Sequence, residues 1–166
     1  MHIRTNDDGT NKEYIANPYQ MVAVNSRYYL VCVTNQRPEI TNLRVDRIKN
    51  VKILDEKIDY DNKNNQNYDI PRHVVEHIYM FHGESDIVKF KFDKYILNDV
   101  VDWFDEDIIL NPCKDKKDWI EAQVRVNLNS MRFWAMQYGN YVIVESPKSL
   151  VGDIKKTLKE MNSRYK

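Results

Sequence analysis

Arginines and tyrosines occur together in the first third of the chain, at spacings typical of a binding surface. Arg27, Tyr28 and Tyr29 are consecutive, and Arg44 and Arg47 form a second cluster. A guanidinium group makes paired hydrogen bonds to carboxylates and phosphates, and an aromatic ring stacks on bases or sugars. No set of nucleophile, base and orienting residue accompanies them. This part of the chain is therefore interpreted as a recognition surface and not as a reaction centre.

The charge of the chain is balanced overall but unevenly distributed. Lys and Arg total 25, Asp and Glu total 25, and the formal net charge is +0. Six basic and two acidic residues lie between Ser26 and Lys52, whereas residues 55–69 hold five acids and two lysines. A neutral protein is not expected to bind nucleic acid through bulk attraction. A local cationic stretch instead indicates a local anionic ligand.

The two clustered arginines also have a structural interpretation. Asp46 lies between Arg44 and Arg47, so a local salt bridge could satisfy either guanidinium. The functional alternative is anion binding, in which each charge-assisted hydrogen bond contributes about 1.5–3 kcal/mol. Both interpretations remain open from the sequence.

The tyrosines divide between two faces of a predicted strand. Side chains alternate along a strand, so Tyr28 and Leu30 share one face, and Arg27 and Tyr29 share the other. One of the two tyrosines therefore belongs to the core, and we place Tyr29 beside Arg27 near the binding surface. Tyr19, directly after a proline, fits either the core or the rim of the surface.

A second set of residues has the spacing of metal ligands. His73-Val74-Val75-Glu76-His77 matches the H-x-x-E-H pattern, in which two histidines one helical turn apart bind Zn²⁺ and the glutamate is the general base. A zinc hydrolase would also need a third protein ligand, which the sequence does not identify. The alternative is a connecting helix with a polar, solvated face. We favour this alternative and predict no metal, no cofactor and no enzymatic activity.

Short apolar runs between turn residues predict a β-rich first half. Asp8-Gly9 marks a tight hairpin, Pro18 is expected to end the second strand, and Asn25-Ser26 is predicted as a two-residue turn. Five or so short strands at this spacing favour a small barrel. The predicted strands cover residues 2–5, 12–17, 20–24, 27–34, 40–45 and 51–55.

The second half has a different pattern. Residues 59–69 form a polar linker, and a helix is predicted from Pro71 to Gly83. The order that follows is strand, helix, strand, strand, helix, strand and a final helix, which is the ferredoxin-like arrangement. Asn129-Ser130 is predicted to cap its second helix, with Met131 and Trp134 in the core.

The motifs, taken in order, resemble the WYL domain of bacterial transcriptional regulators. Pro18-Tyr19 is followed by Tyr28-Tyr29-Leu30 at the namesake triplet and by Arg44 to Ile48, similar to that family's R-x-x-R-I strand end. Tyr28 stands where tryptophan is common. The second half resembles the C-terminal extension of these regulators through three further pieces: His82-Gly83-Glu84, Phe133-Trp134 and Ser146-Pro147.

The resemblance implies an effector-sensing and dimerisation module. Its fold would be α+β, with a small Sm/SH3-like β-barrel followed by a ferredoxin-like βαββαβ domain and an extra C-terminal helix. The barrel pocket would bind an anionic ligand, a nucleotide or short nucleic acid, and the extension would contribute to a homodimer. The implied ligand-binding residues are Arg44, Arg47, Tyr29, Arg27, Tyr28 and Tyr19. The implied domains are residues 1–56 (barrel), 57–83 (linker and connecting helix) and 84–166 (extension).

The remaining predictions concern the cellular location of the chain, its DNA binding and an alternative function. Cys32 and Cys113 form no C-x-x-C pair, and Cys32 lies in an apolar run, so we expect a reducing cytoplasm. No membrane span or signal peptide is predicted. The helix-turn-helix that usually precedes the barrel is not found, so we expect no specific promoter binding by this polypeptide alone. The alternative function is a stand-alone module that binds single-stranded nucleic acid.

Overall fold

The computed structural model describes residues 2–6, 11–55, 69–104 and 107–165. Within these residues the fold is α+β, with two antiparallel sheets and four α-helices, as the sequence predicts at this level. The chain divides into two compact units, Met1–Val74 and Val75–Lys166. The predicted Asp8-Gly9 turn and most of the predicted linker lie outside the described residues.

The first sheet consists of five strands: β1 (His2–Asn6), β2 (Asn11–Val24), β3 (Arg27–Thr34), β4 (Arg37–Arg44) and β5 (Ile48–Lys52). Their order is β4-β3-β2-β1-β5, with every neighbouring pair antiparallel. In the described residues β4 and β5 are the two edges, so these pairings form an open sheet and not a closed barrel.

β2 continues through Pro18, so the prediction that this proline ends the strand is wrong. The register shifts there: Pro18 is opposite Cys32, Gln20 is opposite Val31, and Tyr19 is the extra residue of a bulge. A bulge tolerates proline because the ladder hydrogen bond is already interrupted. One inserted residue also reverses the alternation, so Pro18 and Gln20 face opposite sides of the sheet.

The turn between β2 and β3 follows the prediction. Asn25 and Ser26 have φ of 50° and 60°, the left-handed values that a two-residue hairpin turn requires. β3 then has the predicted bounds, Arg27–Thr34.

Cys32 belongs to the small core of the first unit. It packs with Ala16 and Leu43, and Leu30 and Ile48 lie against this cluster. Burial raises the pKa of the Cys32 thiol to about 12. The thiol is therefore protonated at neutral pH, and its packing role as a small apolar side chain agrees with the prediction.

Helix α1 (Ile70–Glu76) is shorter than predicted. Asp69 caps it, because its Oδ1 accepts a hydrogen bond from a backbone N–H of the first turn at 3.0 Å. Beyond the helix, the Met80 N–H donates to the His77 carbonyl at 2.6 Å, and Met80 has a φ of 56°. This turn redirects the chain, so the expected continuation to Gly83 is wrong.

The described residues of the second unit form four strands and three α-helices: β6 (Ser85–Asp93), α2 (Leu97–Phe104), β7 (Ile109–Pro112), β8 (Trp119–Asn127), α3 (Leu128–Gln137), β9 (Val142–Ser146) and α4 (Lys148–Arg164). A 3₁₀ turn precedes α2. The strands form one sheet of order β7-β8-β6-β9, and all its strand pairs are antiparallel.

An aromatic cluster forms the core of this unit. Trp134 contacts Phe104 and Phe90 edge-on, with ring centroids 4.8 and 5.5 Å apart. Such pairs contribute about 0.5–1.5 kcal/mol beyond the area they bury. Met131 and Trp134 are fully buried, which confirms their assignment to the core.

Helix α3 starts without an intervening loop after β8. Its cap is Asn127, whose Oδ1 accepts from the backbone N–H of Ser130 at 2.9 Å. The predicted cap, Asn129-Ser130, is therefore wrong by two residues. Asn127 is fully buried, so its side chain ends the strand and begins the helix in one step.

Replacing this cap should destabilise the protein. We expect Asn127→Ala to lower the free energy of unfolding by about 1 kcal/mol, because an N–H of the first turn loses its partner. Urea denaturation followed by circular dichroism measures the change. Asn98→Ala, an exposed replacement near the start of α2, is the matched control and should stay within about 0.5 kcal/mol. Equal losses in the two variants would contradict the capping role.

Candidate functional site

Three of the six predicted ligand-binding residues lie on one face of the first sheet. Tyr29 is paired with Arg44 across β3 and β4, and with Val22 across β2 and β3. Residues directly opposite each other share a face, so Val22, Tyr29 and Arg44 form a row across the sheet. Arg27, two positions before Tyr29, is on the same face and exposed. Tyr29 itself is only 8% exposed, so its ring packs beneath the surface.

The other two tyrosines are placed differently. Tyr28 is opposite Ala23, on the reverse face of the sheet, and is 61% exposed. Tyr19 is the half-buried extra residue of the β2 bulge. The structure thus places Tyr28 on the opposite face of the sheet from Arg27 and Tyr29, although the three residues are consecutive in sequence.

Arg44 forms a two-point ion pair with Asp46. Its Nε and a terminal nitrogen lie 3.0 and 2.5 Å from the two carboxylate oxygens. The hydrogen bond from Arg44 lowers the pKa of the Asp46 carboxyl, which stays ionised. The local salt bridge left open by the sequence is therefore present for Arg44. An incoming anion must displace Asp46 or use the other N–H groups of the guanidinium.

Arg47 is carried by the short 3₁₀ turn Val45–Arg47 that follows β4. This turn lies against β3, and Arg47 is half-buried. The turn therefore keeps Arg47 close to the end of the sheet where Arg44 and Tyr29 are paired. Two guanidinium groups three residues apart occupy this end.

Sequence reasoning missed Asn42. It is opposite Val31 and shares the face of Arg44, and its Oδ1 lies 3.1 Å from His73 Nε2. A neutral amide within a strand gives no sequence signal of such a role. We call Arg27, Tyr29, Asn42 and Arg44, together with Arg47 in the adjoining turn, the arginine face.

The metal-binding interpretation finds no support in the geometry. His77 lies beyond the end of α1, so the two histidines are not one turn apart on a continuous helix. Glu76 is buried, with Oε1 3.2 Å from Arg125 Nε. Within the described part of the chain, no group of three or more His, Cys, Asp and Glu residues could hold a metal ion.

Comparison with domain families identifies both units. The WYL domain matches residues 2–53, and the WCX domain matches residues 86–161. The chain belongs to the WYL-domain transcriptional regulators. The WYL match covers Tyr28-Tyr29-Leu30 and all three arginines of the arginine face, and the WCX domain is the C-terminal extension expected from the sequence. Both are regulatory domains, not enzymatic ones.

Two solved structures are similar to this chain, and the first supports its fold. The crystal structure of a CRISPR Cas-related protein matches 99% of this chain and 46% of its own length, with a TM-score of 0.61 and 15% identity. Proteasome accessory factor B/C (PafBC) of Arthrobacter aurescens matches 93% of this chain and 23% of its own, at a TM-score of 0.38 and 16% identity. The chain thus spans less than half of either protein, and the first likeness concerns the fold alone. No curated protein sequence matches it significantly.

A further observation concerns membranes. Among the described residues, no helix combines the length and the apolar composition that a membrane span needs.

The ion pair between Arg44 and Asp46 predicts how the stability of the fold changes with pH as the Asp46 carboxyl titrates. Because the pKa of Asp46 is lowered in the folded state, the pair stabilises the fold above the pKa of the unfolded carboxyl and loses this contribution as the pH falls through the folded-state value. The effect on stability is small, since Asp46 is exposed.

Carbon-13 NMR of the Asp46 carboxyl measures this pKa directly. We expect Arg44→Ala to raise it toward the ordinary value, and Arg37→Ala, at the far end of β4, to leave it unchanged. An identical titration in wild type and Arg44→Ala would show that the pair does not form in solution.

Proposed function

We propose that this chain is the effector-sensing and dimerisation module of a WYL-domain transcriptional regulator, and that the arginine face binds an anionic effector. The observation that carries the proposal is the cross-strand pair of Tyr29 and Arg44, with Arg27 on the same face. The pairing holds guanidinium groups beside a buried aromatic ring. The effector class is a nucleotide or a short nucleic acid.

Recognition would depend mainly on the charged group of the effector. Tyr29 is buried, so its ring supports Arg44 and does not offer an open stacking surface. A phosphate could take the two-point hydrogen bonds that Asp46 holds in the unliganded protein. Binding would thus release Asp46 and the turn that carries Arg47.

Such an exchange provides a switch. A ligand shifts a conformational equilibrium only by its difference in affinity for the two states. In the proposed mechanism Arg44 is paired with Asp46 in one state and with the effector in the other. The change in the turn would bias the arrangement of the dimer, and so the geometry of an attached DNA-binding domain. The module itself catalyses no reaction.

Removing the arginines should abolish effector binding. We expect the double variant Arg44→Ala/Arg47→Ala to weaken binding about 100-fold, because two charge-assisted hydrogen bonds of about 1.5 kcal/mol each are lost. Calorimetric titration with nucleotides, cyclic dinucleotides and short single-stranded oligonucleotides measures the affinity.

Arg37→Ala is the matched control, an exposed arginine of the same sheet that lies away from the arginine face, and should bind within about twofold of wild type. Unchanged affinity in the double variant, with an unchanged circular dichroism spectrum, would refute the proposed site.

The exposure of Tyr28 favours a second candidate function, a stand-alone module for single-stranded nucleic acid. Stacking on an exposed aromatic ring contributes about 1–3 kcal/mol per base and tolerates any sequence. In that case Tyr28→Ala would weaken oligonucleotide binding, whereas mononucleotides would bind poorly to either protein. The effector proposal instead predicts that Tyr28→Ala binds the effector with an affinity close to that of the wild type.

The last helix supports the dimerisation proposal. The apolar stripe of this helix begins with Leu150, which is buried. It continues to Leu158 (51% exposed) and Met161 (40% exposed), which the rest of the unit does not cover. These two residues border an apolar groove of about 360 Å³, lined also by Val144 and Ile154. A second copy of the chain could bury this surface.

Sedimentation velocity tests this surface. We expect the wild-type chain to be a dimer and Leu158→Asp to shift it to monomer, because a charge would be buried at the interface. Lys156→Asp, two residues away on the opposite side of α4, is the matched control and should remain dimeric. A wild-type monomer at about 100 µM, or a dimeric Leu158→Asp variant, would contradict the proposal.

A further inference from the structure

The WCX domain contains a second pocket whose chemistry differs from that of the arginine face. A cavity of about 340 Å³ lies beside β7, the start of β8 and the loop between them. Pockets of roughly 300–1,000 Å³ are the size that encloses small organic ligands. Its lining combines apolar side chains with several lysines. The residues that matter most are Leu110, Pro112, Trp119, Lys94, Lys116 and Lys117.

The apolar residues could hold a flat ring. Leu110 and Pro112 come from β7, and Ile120 comes from the start of β8. Pro112 is paired directly with Ile120 across the two strands. Because these strands are hydrogen-bonded neighbours, the wall they form is already assembled without a ligand.

The lysines give this pocket a positive charge. Lys94, Lys116 and Lys117 line it together with one carboxylate, that of Asp118. The Nζ of Lys116 lies 3.1 Å from the centre of the Trp119 ring, a cation–π contact. An ammonium group is thus held directly over the aromatic surface. A ligand that fills the pocket would meet both at once.

The loop between β7 and β8, which carries Lys116 and Lys117, is attached to β6 and to the 3₁₀ turn that follows β6. The Nζ of Lys91 lies 3.0 Å from Asp115 and 3.1 Å from Glu145, and these hydrogen bonds raise the pKa of Lys91. The Lys94 N–H donates to the Asp118 carbonyl at 2.9 Å, and its Nζ lies 3.6 Å from the Asp118 carboxylate.

The loop is also closed on itself. The Cys113 N–H donates to the Trp119 carbonyl at 3.2 Å, and the Trp119 N–H donates to the Lys116 carbonyl at 3.3 Å. Its two acids, Asp115 and Asp118, are therefore paired with lysines of the neighbouring strand and turn, while Lys116 and Lys117 remain at the pocket. An ordered loop loses little entropy when a ligand binds.

We propose that this pocket binds a small aromatic carboxylate. The ring would lie against the apolar wall of Leu110, Pro112 and Ile120, and the carboxylate would accept hydrogen bonds from Lys116 and Lys117. This site is independent of the arginine face, since every residue that forms it belongs to the second unit. It would give the regulator a second input of different chemistry.

Cys113 also lines the pocket and provides a direct readout. It is partly exposed, whereas Cys32 is fully buried, with its pKa raised to about 12. The probe is 5,5′-dithiobis(2-nitrobenzoate), an aromatic dicarboxylate disulfide. The Cys113 thiol loses its proton to solvent, its sulfur attacks one sulfur of the reagent, a mixed disulfide forms, and one thionitrobenzoate leaves with the electron pair. Neutral 4,4′-dithiodipyridine reacts in the same way without the carboxylates.

The double variant Lys116→Ala/Lys117→Ala tests the recognition step. We expect the rate with the dicarboxylate to saturate with reagent concentration in wild type, and to fall at least fivefold in the variant. The rate with the neutral reagent should stay within about twofold, since it reports any change in the thiol itself. Addition of 4-nitrobenzoate should protect Cys113 of the wild type from both reagents.

Lys114→Ala is the matched control, because Lys114 is adjacent to Cys113 but does not line the pocket. It should react like wild type. Equal slowing in Lys114→Ala would show a general charge effect and overturn the proposal, as would a rate that stays linear in reagent without protection by 4-nitrobenzoate. If Cys113 reacts with neither reagent, calorimetry with 4-nitrobenzoate decides: heat lost in the double variant supports the site, and no binding by wild type overturns it.

Discussion

Within the first sheet, β3 is paired on both sides, and its register places Tyr29 between Val22 and Arg44. A shift of one residue in either pairing would turn the side chains of a whole strand to the other face. The bulge at Tyr19 preserves this register, because it reverses the alternation of β2 midway along the strand. The arginine face therefore depends on an irregularity several residues away from it. The proposed exchange of Asp46 for an effector requires this fixed frame, since only the turn after β4 then needs to move.

In the second unit a single lysine has a comparable role. Lys91 is only 16% exposed and lies within 3.6 Å of carboxylates from Asp115, Glu121 and Glu145. It thereby connects β6 with β8, β9 and the loop before β8. The opposite face of the same sheet is closed by the aromatic core around Trp134. One face is thus held by apolar packing and the other by charge. The loop before β8 joins the charged network through Asp115 and lines the second pocket through Lys116 and Lys117.

Local patterns predicted a substantial part of this fold. The bounds of β3, the turn at Asn25-Ser26, the burial of Cys32 and the core position of Trp134 all follow from alternation, turn chemistry and helical spacing. Each of these depends on residues close together in the chain, where backbone sterics and apolar periodicity act directly. The order of the WYL motifs likewise required only the sequence, because it is a pattern of residue types along the chain.

The composition of the arginine face was decided only in three dimensions. From the sequence, Tyr28 and Tyr29 were both ligand-binding candidates, with Tyr29 placed beside Arg27, and Asn42 gave no signal. The sheet places Tyr28 on the reverse side and brings Asn42 to within 3.1 Å of His73. The second pocket likewise is lined by Lys94 together with residues near position 120. By itself the sequence determined which residues could bind an anion and roughly where strands form. Which of those side chains share a face depends on strand register and on contacts between distant segments, and these are set by tertiary packing.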